Sequence, residues 1–186
     1  MGLTWVSTLR YNSSMGFHRL VYPHMQELAN RFCGAVYFGV PNGCDVLYLE
    51  GVYPMQALRT IASRSMTGER APLYCTGIGK AMLGFLTESK WADCLPGKLE
   101  KYSEYTITDR DALFEELCTT RRCGYSIDNM EHEFGIKCVG APVFNREGQL
   151  VAGISLSGPS LRFNDERIGQ IAEELLKKVT ELRACL

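Results

Sequence analysis

An α+β fold, with a mainly antiparallel sheet flanked by helices, is predicted from three features of this 186-residue chain. Strand-like and helical runs alternate irregularly rather than in repeating strand–helix–strand units. Neighbouring strand-like runs are joined by short turn sequences, so hairpins outnumber crossovers. No internal repeat or low-complexity segment breaks the pattern.

The elements follow in order. LTWVSTLRY, residues 3–11, has Leu3, Val6, Leu9 and Arg10 in a short helical pattern with nothing of its own to pack on, and reads as a linker. Residues 17–32 set Leu20, Val21, His24, Leu28 and Phe32 at helical spacing, with Gly34 as the stop. Pro23 belongs in the first turns of that helix or kinks it. AVYFGV and DVLYLEGV flank Pro41, Asn42 and Gly43 as a hairpin, and a third strand-like run, ALRTIA, follows. Thr76 stands at the N-cap of a helix whose apolar face is Ile78, Met82, Phe85 and Leu86. Thr108, with Asp111 three residues on, is expected to open another helix with the stripe Leu113, Phe114, Leu117 and Cys118, ended by Gly124. GYSID (124–128), IKCVGAPVF (136–144) and QLVAGISLS (149–157) read as strands, with NREG as the turn between the last two. From about Asn164 a final helix turns Ile168, Ile171, Leu175, Val179 and Leu182 inward, with Asp165 and Glu166 favourable at its positive end.

Composition narrows the function. Hydrophobic residues at 46% and charged residues at 22% are ordinary for one globular domain with a core of its own. Twenty Lys and Arg against 21 Asp and Glu leave a net charge of −1, so this chain has no basic excess with which to grip DNA phosphates. No apolar run approaches the roughly 20 residues of a membrane span, and the N-terminus lacks the order of a signal peptide. A cytoplasmic protein is expected. The eight cysteines, at 33, 44, 75, 94, 118, 123, 138 and 185, form no C-x-x-C pair and are expected to remain reduced, most of them in the core.

Three stretches carry candidate chemistry. CTGIGKAML (75–83) fails as a Walker loop, because Tyr74 stands where the first glycine would be and Ala81 where Ser or Thr would follow Lys80. Two readings remain: Gly77 and Gly79 expose backbone N–H groups to a carboxylate, or they let a helix pack closely. In the last hairpin, a four-residue NREG loop sets Phe144 opposite Gln149, Gly140 opposite Gly153, Cys138 opposite Ser155 and Ile136 opposite Ser157. One face is then small and polar, a cavity floor or a solvent-facing strip, and the other, with Val139, Ala141, Val143, Leu150, Ala152 and Ile154, is core. A bulge at Gly148 would slip that pairing by one residue and part Cys138 from the serines. Between the strands, Asp128, Glu131, His132, Glu133 and Cys138 match no metal-ligand spacing and read as a solvated acidic loop. A Cys138 nucleophile activated by His132 is the enzymatic alternative, although no third, orienting residue can be assigned.

PLYCTGIGKAML (72–83) and GYSIDNMEHEFGIKCVGAPVFNREGQLVAGISLSGPSLRF (124–163), with their separation, closely resemble the effector-binding domain of IclR-type bacterial transcriptional regulators, and the likeness covers nearly all of residues 17–184. The resemblance implies a GAF-like domain: a curved, mainly antiparallel sheet flanked by helices that binds a small organic acid or related metabolite. It implies residues 1–16 as a linker remnant and 17–186 as the effector-binding domain. The winged helix-turn-helix through which such regulators contact DNA is absent from this chain, and a homodimer or homotetramer is implied. Carried over by motif, the effector site would comprise the backbone N–H groups of Gly77 and Ile78, the side chains of Asp128, Cys138, Ser155 and Ser157, and apolar walls from Ala71 and Ile136. No metal or cofactor is expected, and Lys80 is expected to point to solvent or along its helix. Two departures, Asn129 in place of a second acid and the small Ala71, permit a ligand bulkier than a two- or three-carbon acid. A thiol enzyme using Cys138, or a dimerisation module, are the rival functions.

Overall fold

The computed structural model describes residues 14–55, 66–95 and 97–186, with side chains from Arg19 onward. The expected strand ALRTIA and the expected linker helix of residues 3–11 lie outside the described residues. Six strands form one antiparallel sheet in the order β3-β2-β1-β6-β5-β4. They are β1 (Ala35–Asn42), β2 (Asp45–Val52), β3 (Arg70–Pro72), β4 (Ser126–Asn129), β5 (Ile136–Phe144) and β6 (Leu150–Pro159). The helices are α1 (Ser14–Phe32), α2 (Gly77–Leu83), α3 (Glu88–Cys94), α4 (Arg110–Cys123) and α5 (Asp165–Arg183).

Two cores sandwich the sheet. On one face α1 and α5 bury Met25, Leu28, Ile171 and Leu175 against Val36, Phe38, Val139, Ile154 and Leu156. Fully burying each such side chain is worth about 1.5–3 kcal/mol. The other face holds α2, α3 and α4, whose Ile78, Met82, Trp91, Leu113 and Leu117 join Val46 and Leu73. Alternation along β5 and most of β6 divides the residues as expected: Val139, Ala141, Val143, Ala152 and Ile154 enter the first core, and Cys138, Gly140, Ser155 and Ser157 turn to the other side. Leu150, expected in the first core, packs against the second instead, and Val151 lies against the first.

The pairing of that hairpin differs from the expected one. Phe144 faces Leu150, Val143 faces Ala152, Gly140 faces Ser155 and Cys138 faces Ser157. Gly148, at φ 78°, closes the turn with its N–H on the Asn145 carbonyl, so the bulge at Gly148 forms and slips the register by one. A second irregularity, leaving Val151 unpaired, slips it by one more. Two odd shifts sum to an even one, so from Ala152 onward the faces survive and each predicted partner moves two residues along β6, whereas Phe144 moves by one and Leu150, between the slips, changes face.

Several smaller expectations are corrected. The cap of α4 is Asp109, whose carboxylate accepts from the Ala112 N–H, rather than Thr108. Within its stripe Leu113 and Leu117 are buried, but Phe114 and Cys118 are exposed. Cys44 and Cys94 are joined in a disulfide, and Cys118, Cys123 and Cys185 lie on the surface rather than in the core. The first helix begins at Ser14, inside the stretch read as linker.

Candidate functional site

The polar side of β5 and β6 opens into a cavity of about 580 Å³, within the usual range for sites that enclose a small organic molecule. Its floor is read from the ladder: Asp128 pairs with Cys138, Cys138 with Ser157, and Ser157 with Ala35. One step along, Ser155 lies between Gly140 and Tyr37. The start of α2 roofs this floor. Glycine is required there on both sides, because a methyl on Gly140 would fall 2.3 Å from the Gly77 oxygen and one on Gly77 would fall 2.9 Å from Cys138 Cβ. Thr76 caps the helix as expected, accepting from the Gly79 N–H and donating to the Pro72 carbonyl. Ser126 Oγ donates to the Gly77 carbonyl. The N–H groups of Gly77 and Ile78, which line the cavity, meet no acceptor among the described residues. Close packing thus holds at both Gly77 and Gly79, whereas the Gly79 N–H, expected to be open, is taken by Thr76 Oγ1.

Of the eight residues singled out from sequence, Gly77, Ile78, Asp128, Ile136, Cys138, Ser155 and Ser157 line one cavity. Ala71 does not; it pairs with Val46 on the edge strand β3 and packs in the second core. The sequence reading missed the wall formed by Tyr37, Tyr48 and Tyr53 from β1, β2 and the segment after β2. Tyr37 stands edge-on to Tyr48 and Tyr53, with ring centroids at 5.6 and 6.2 Å. Burial holds the Tyr37 and Tyr48 hydroxyls far above the ordinary phenol range, so both remain neutral. Their alternation within the strand runs was the available signal, but Tyr alternation reads equally as core.

The acidic stretch after β4 is less solvated than expected. Asp128 and Glu131 are each 3% exposed. The Glu131 N–H donates to Asp128 Oδ1 at 2.7 Å, and Thr106 and Ser103 hydroxyls hold the Glu131 and Met130 carbonyls. Lys80 is corrected most: it is fully buried, with its ammonium on Glu131 Oε1 and, at 2.9 Å, on Glu116 Oε1. Burial opposes its charge, yet Glu131 and Glu116 more than offset that and hold it above its ordinary value. Burial also pushes Asp128 up, and Glu131 to about 7. Among the described residues no group of three or more His, Cys, Asp or Glu is arranged to hold a metal ion.

Cys138 is partly buried, and Ser157 Oγ donates to its sulfur at 2.9 Å. Desolvation, then the negative charge of Asp128, drive the thiol well above its usual range, and the Ser157 bond only partly opposes them. At neutral pH it is a thiol, whereas a nucleophile needs the thiolate. The His132 ring lies tilted against Tyr102, with centroids at 5.3 Å, and no hydrogen bond joins it to Cys138 among the described residues.

A curved antiparallel sheet whose small polar strip and helix start enclose a cavity defines a ligand-holding α+β domain. Residues 9–184 match the family described as bacterial transcriptional regulator IclR, C-terminal. The chain is 36% identical over 145 residues to the HTH-type transcriptional regulator KdgR of Escherichia coli, covering 77% of this chain and 54% of KdgR. It superposes on the Thermotoga maritima IclR crystal structure with a TM-score of 0.84 at 31% identity, covering 97% of this chain and 71% of that one. It also superposes on the inducer-binding domain of PobR from Acinetobacter, a double mutant in complex with 3-hydroxybenzoic acid, with a TM-score of 0.76 at 26% identity, covering 87% and 96%. The chain belongs to the IclR family of bacterial transcriptional regulators and corresponds to its C-terminal domain. It spans about half the length of the curated relatives it matches. No helix among the described residues is long and apolar enough to cross a membrane.

Proposed function

We propose that this domain senses a small organic acid or related metabolite, and that binding changes DNA affinity or assembly through an N-terminal DNA-binding domain of the kind its relatives carry. The carrying observation is the joint lining of one cavity by Ser155, Ser157, Cys138 and Asp128 on the floor and by Gly77 and Ile78 above. Hydroxyls and open N–H groups suit carboxylate or carbonyl oxygens, and the tyrosine wall suits the ligand's apolar body. The 3-hydroxybenzoic acid in the PobR neighbour supports an acid larger than two or three carbons. A sensor needs different affinity in two conformations, and α2, seated on the floor and carrying buried Lys80, is the element whose movement would report occupancy. Homodimers or homotetramers, and a cytoplasmic setting, belong to the same proposal.

Isothermal calorimetry against a panel of aliphatic and aromatic carboxylic acids tests it. Micromolar to millimolar binding is expected, about −8 to −4 kcal/mol, weakened roughly tenfold or more by Ser155→Ala with Ser157→Ala. Silence across the panel would leave only a dimerisation role. The thiol-enzyme reading is disfavoured by the protonated Cys138, and Cys138→Ser is expected to retain binding, where a thiol enzyme would lose turnover.

A further inference from the structure

The charge around the cavity is lopsided. Asp128 and Glu133 bring acids to its β4 side, whereas Arg162 is the one permanently cationic side chain lining it among the described residues. The exposed Arg162 side chain has no ion-pair or hydrogen-bond partner among those residues. Its backbone is nonetheless fixed. The Ser160 N–H donates to the Gly135 carbonyl at 2.7 Å, the Phe163 N–H donates to the Ser160 carbonyl, and the Phe163 ring is buried. Pro159, just before this turn, pairs with Ile136, and both line the cavity, so Arg162 stands at one end of the floor.

Toward the other end, Ser155 is 2% exposed, lines the cavity and has no side-chain hydrogen bond among the described residues. That hydroxyl opens to the cavity and is free to donate to a ligand oxygen. Four residue steps of β6 lead from Ser155 to Pro159, about 13 Å at strand rise. An arginine side chain reaching inward shortens that gap to the span of roughly four to six carbons. Its planar fork matches a carboxylate with two parallel hydrogen bonds. Without it, an acid entering beside Asp128 and Glu133 meets like charge.

We propose that the effector is two-ended: a dicarboxylate of roughly four to six carbons, with one carboxylate anchored by Arg162 at the cavity mouth and its other end on the Ser155 hydroxyl. This rests on the reading of the cavity as an acid-sensing site. The probes are succinate, glutarate and adipate, each paired with its half-amide, which keeps length and removes one charge. They are titrated calorimetrically into the 186-residue chain and into its Arg162→Gln and Arg162→Lys variants. At least one diacid is expected to bind about tenfold more tightly than its half-amide, with the gap closing in Arg162→Gln and partly returning in Arg162→Lys. Equal binding of diacid and half-amide, a gap that survives Arg162→Gln, or silence of all three diacids while other carboxylic acids bind, would overturn the two-ended effector and leave the sensor reading standing. Silence of every acid in the wider panel would overturn both.

Discussion

One ammonium buried among three acids cannot neutralise them all. Lys80 meets Glu116 and Glu131 directly, and Asp128 adds its charge to Glu131 from the cavity side. Glu131 Oε2, buried without a hydrogen-bond partner among the described residues, marks where compensation runs out. Lys80→Met should therefore destabilise the domain by about 3–5 kcal/mol, since it strands a buried carboxylate. Adding Glu131→Gln should recover part of that loss, and urea unfolding of the single and double variants measures both. The pH dependence has a definite sign. Glu131 ionises at about 7 when folded against an ordinary 4.5, so the folded protein holds this proton more tightly than the unfolded chain. Its contribution to stability therefore falls as pH rises from about 4.5 to about 7, and Asp128, also raised, acts in the same direction. Urea midpoints at several pH values should show this slope, flattened in Glu131→Gln. A slope unchanged by Glu131→Gln would assign the titration elsewhere.

At the scale of elements, the seating of α2 on β5 connects fold to site. Gly140→Ala would thrust a methyl into the Gly77 carbonyl, and because both partners are backbone, no rotamer can relieve it. A loss of about 1–3 kcal/mol is expected, with a lower melting temperature and weaker acid binding as the helix start lifts from the floor. The Cys44–Cys94 bond ties the β1–β2 turn to the end of α3 across a sequence separation of 50. A loop of that length implies about 2–4 kcal/mol of stabilisation. Dithiothreitol should lower the melting temperature of the native chain but scarcely that of Cys44→Ser; equal shifts would deny the bond this role. These elements were unequally legible. β5, with its full run of alternating residues, was read to its ends, whereas α3 was missed because only Trp91 and Cys94 turn inward. β3 was missed too, as three residues ending in proline carry no periodicity.

For the whole molecule, binding should appear as stability. An acid at a hundred times its dissociation constant adds about 2.7 kcal/mol, or several degrees in melting temperature for a domain of this size. Cys138→Ser should show the same rise, and its loss there would revive a chemical role for the thiol. The amino-acid sequence by itself determined which residues turn to which side of the sheet, where the long helices run, and the family, because alternation, capping and motif spacing are local properties. Even the misread hairpin kept its faces beyond Leu150, since the slips at Gly148 and Val151 cancel in parity. Only the tertiary structure decided that Ala71 is core, that Cys44 meets Cys94, that the tyrosines and Arg162 join the cavity, and that Lys80 is buried. The partners of Lys80 lie 36 and 51 residues away, and what brings them together is strand register and helix seating. Burial and charge pairing are set by that long-range geometry, which residue spacing along the chain does not encode.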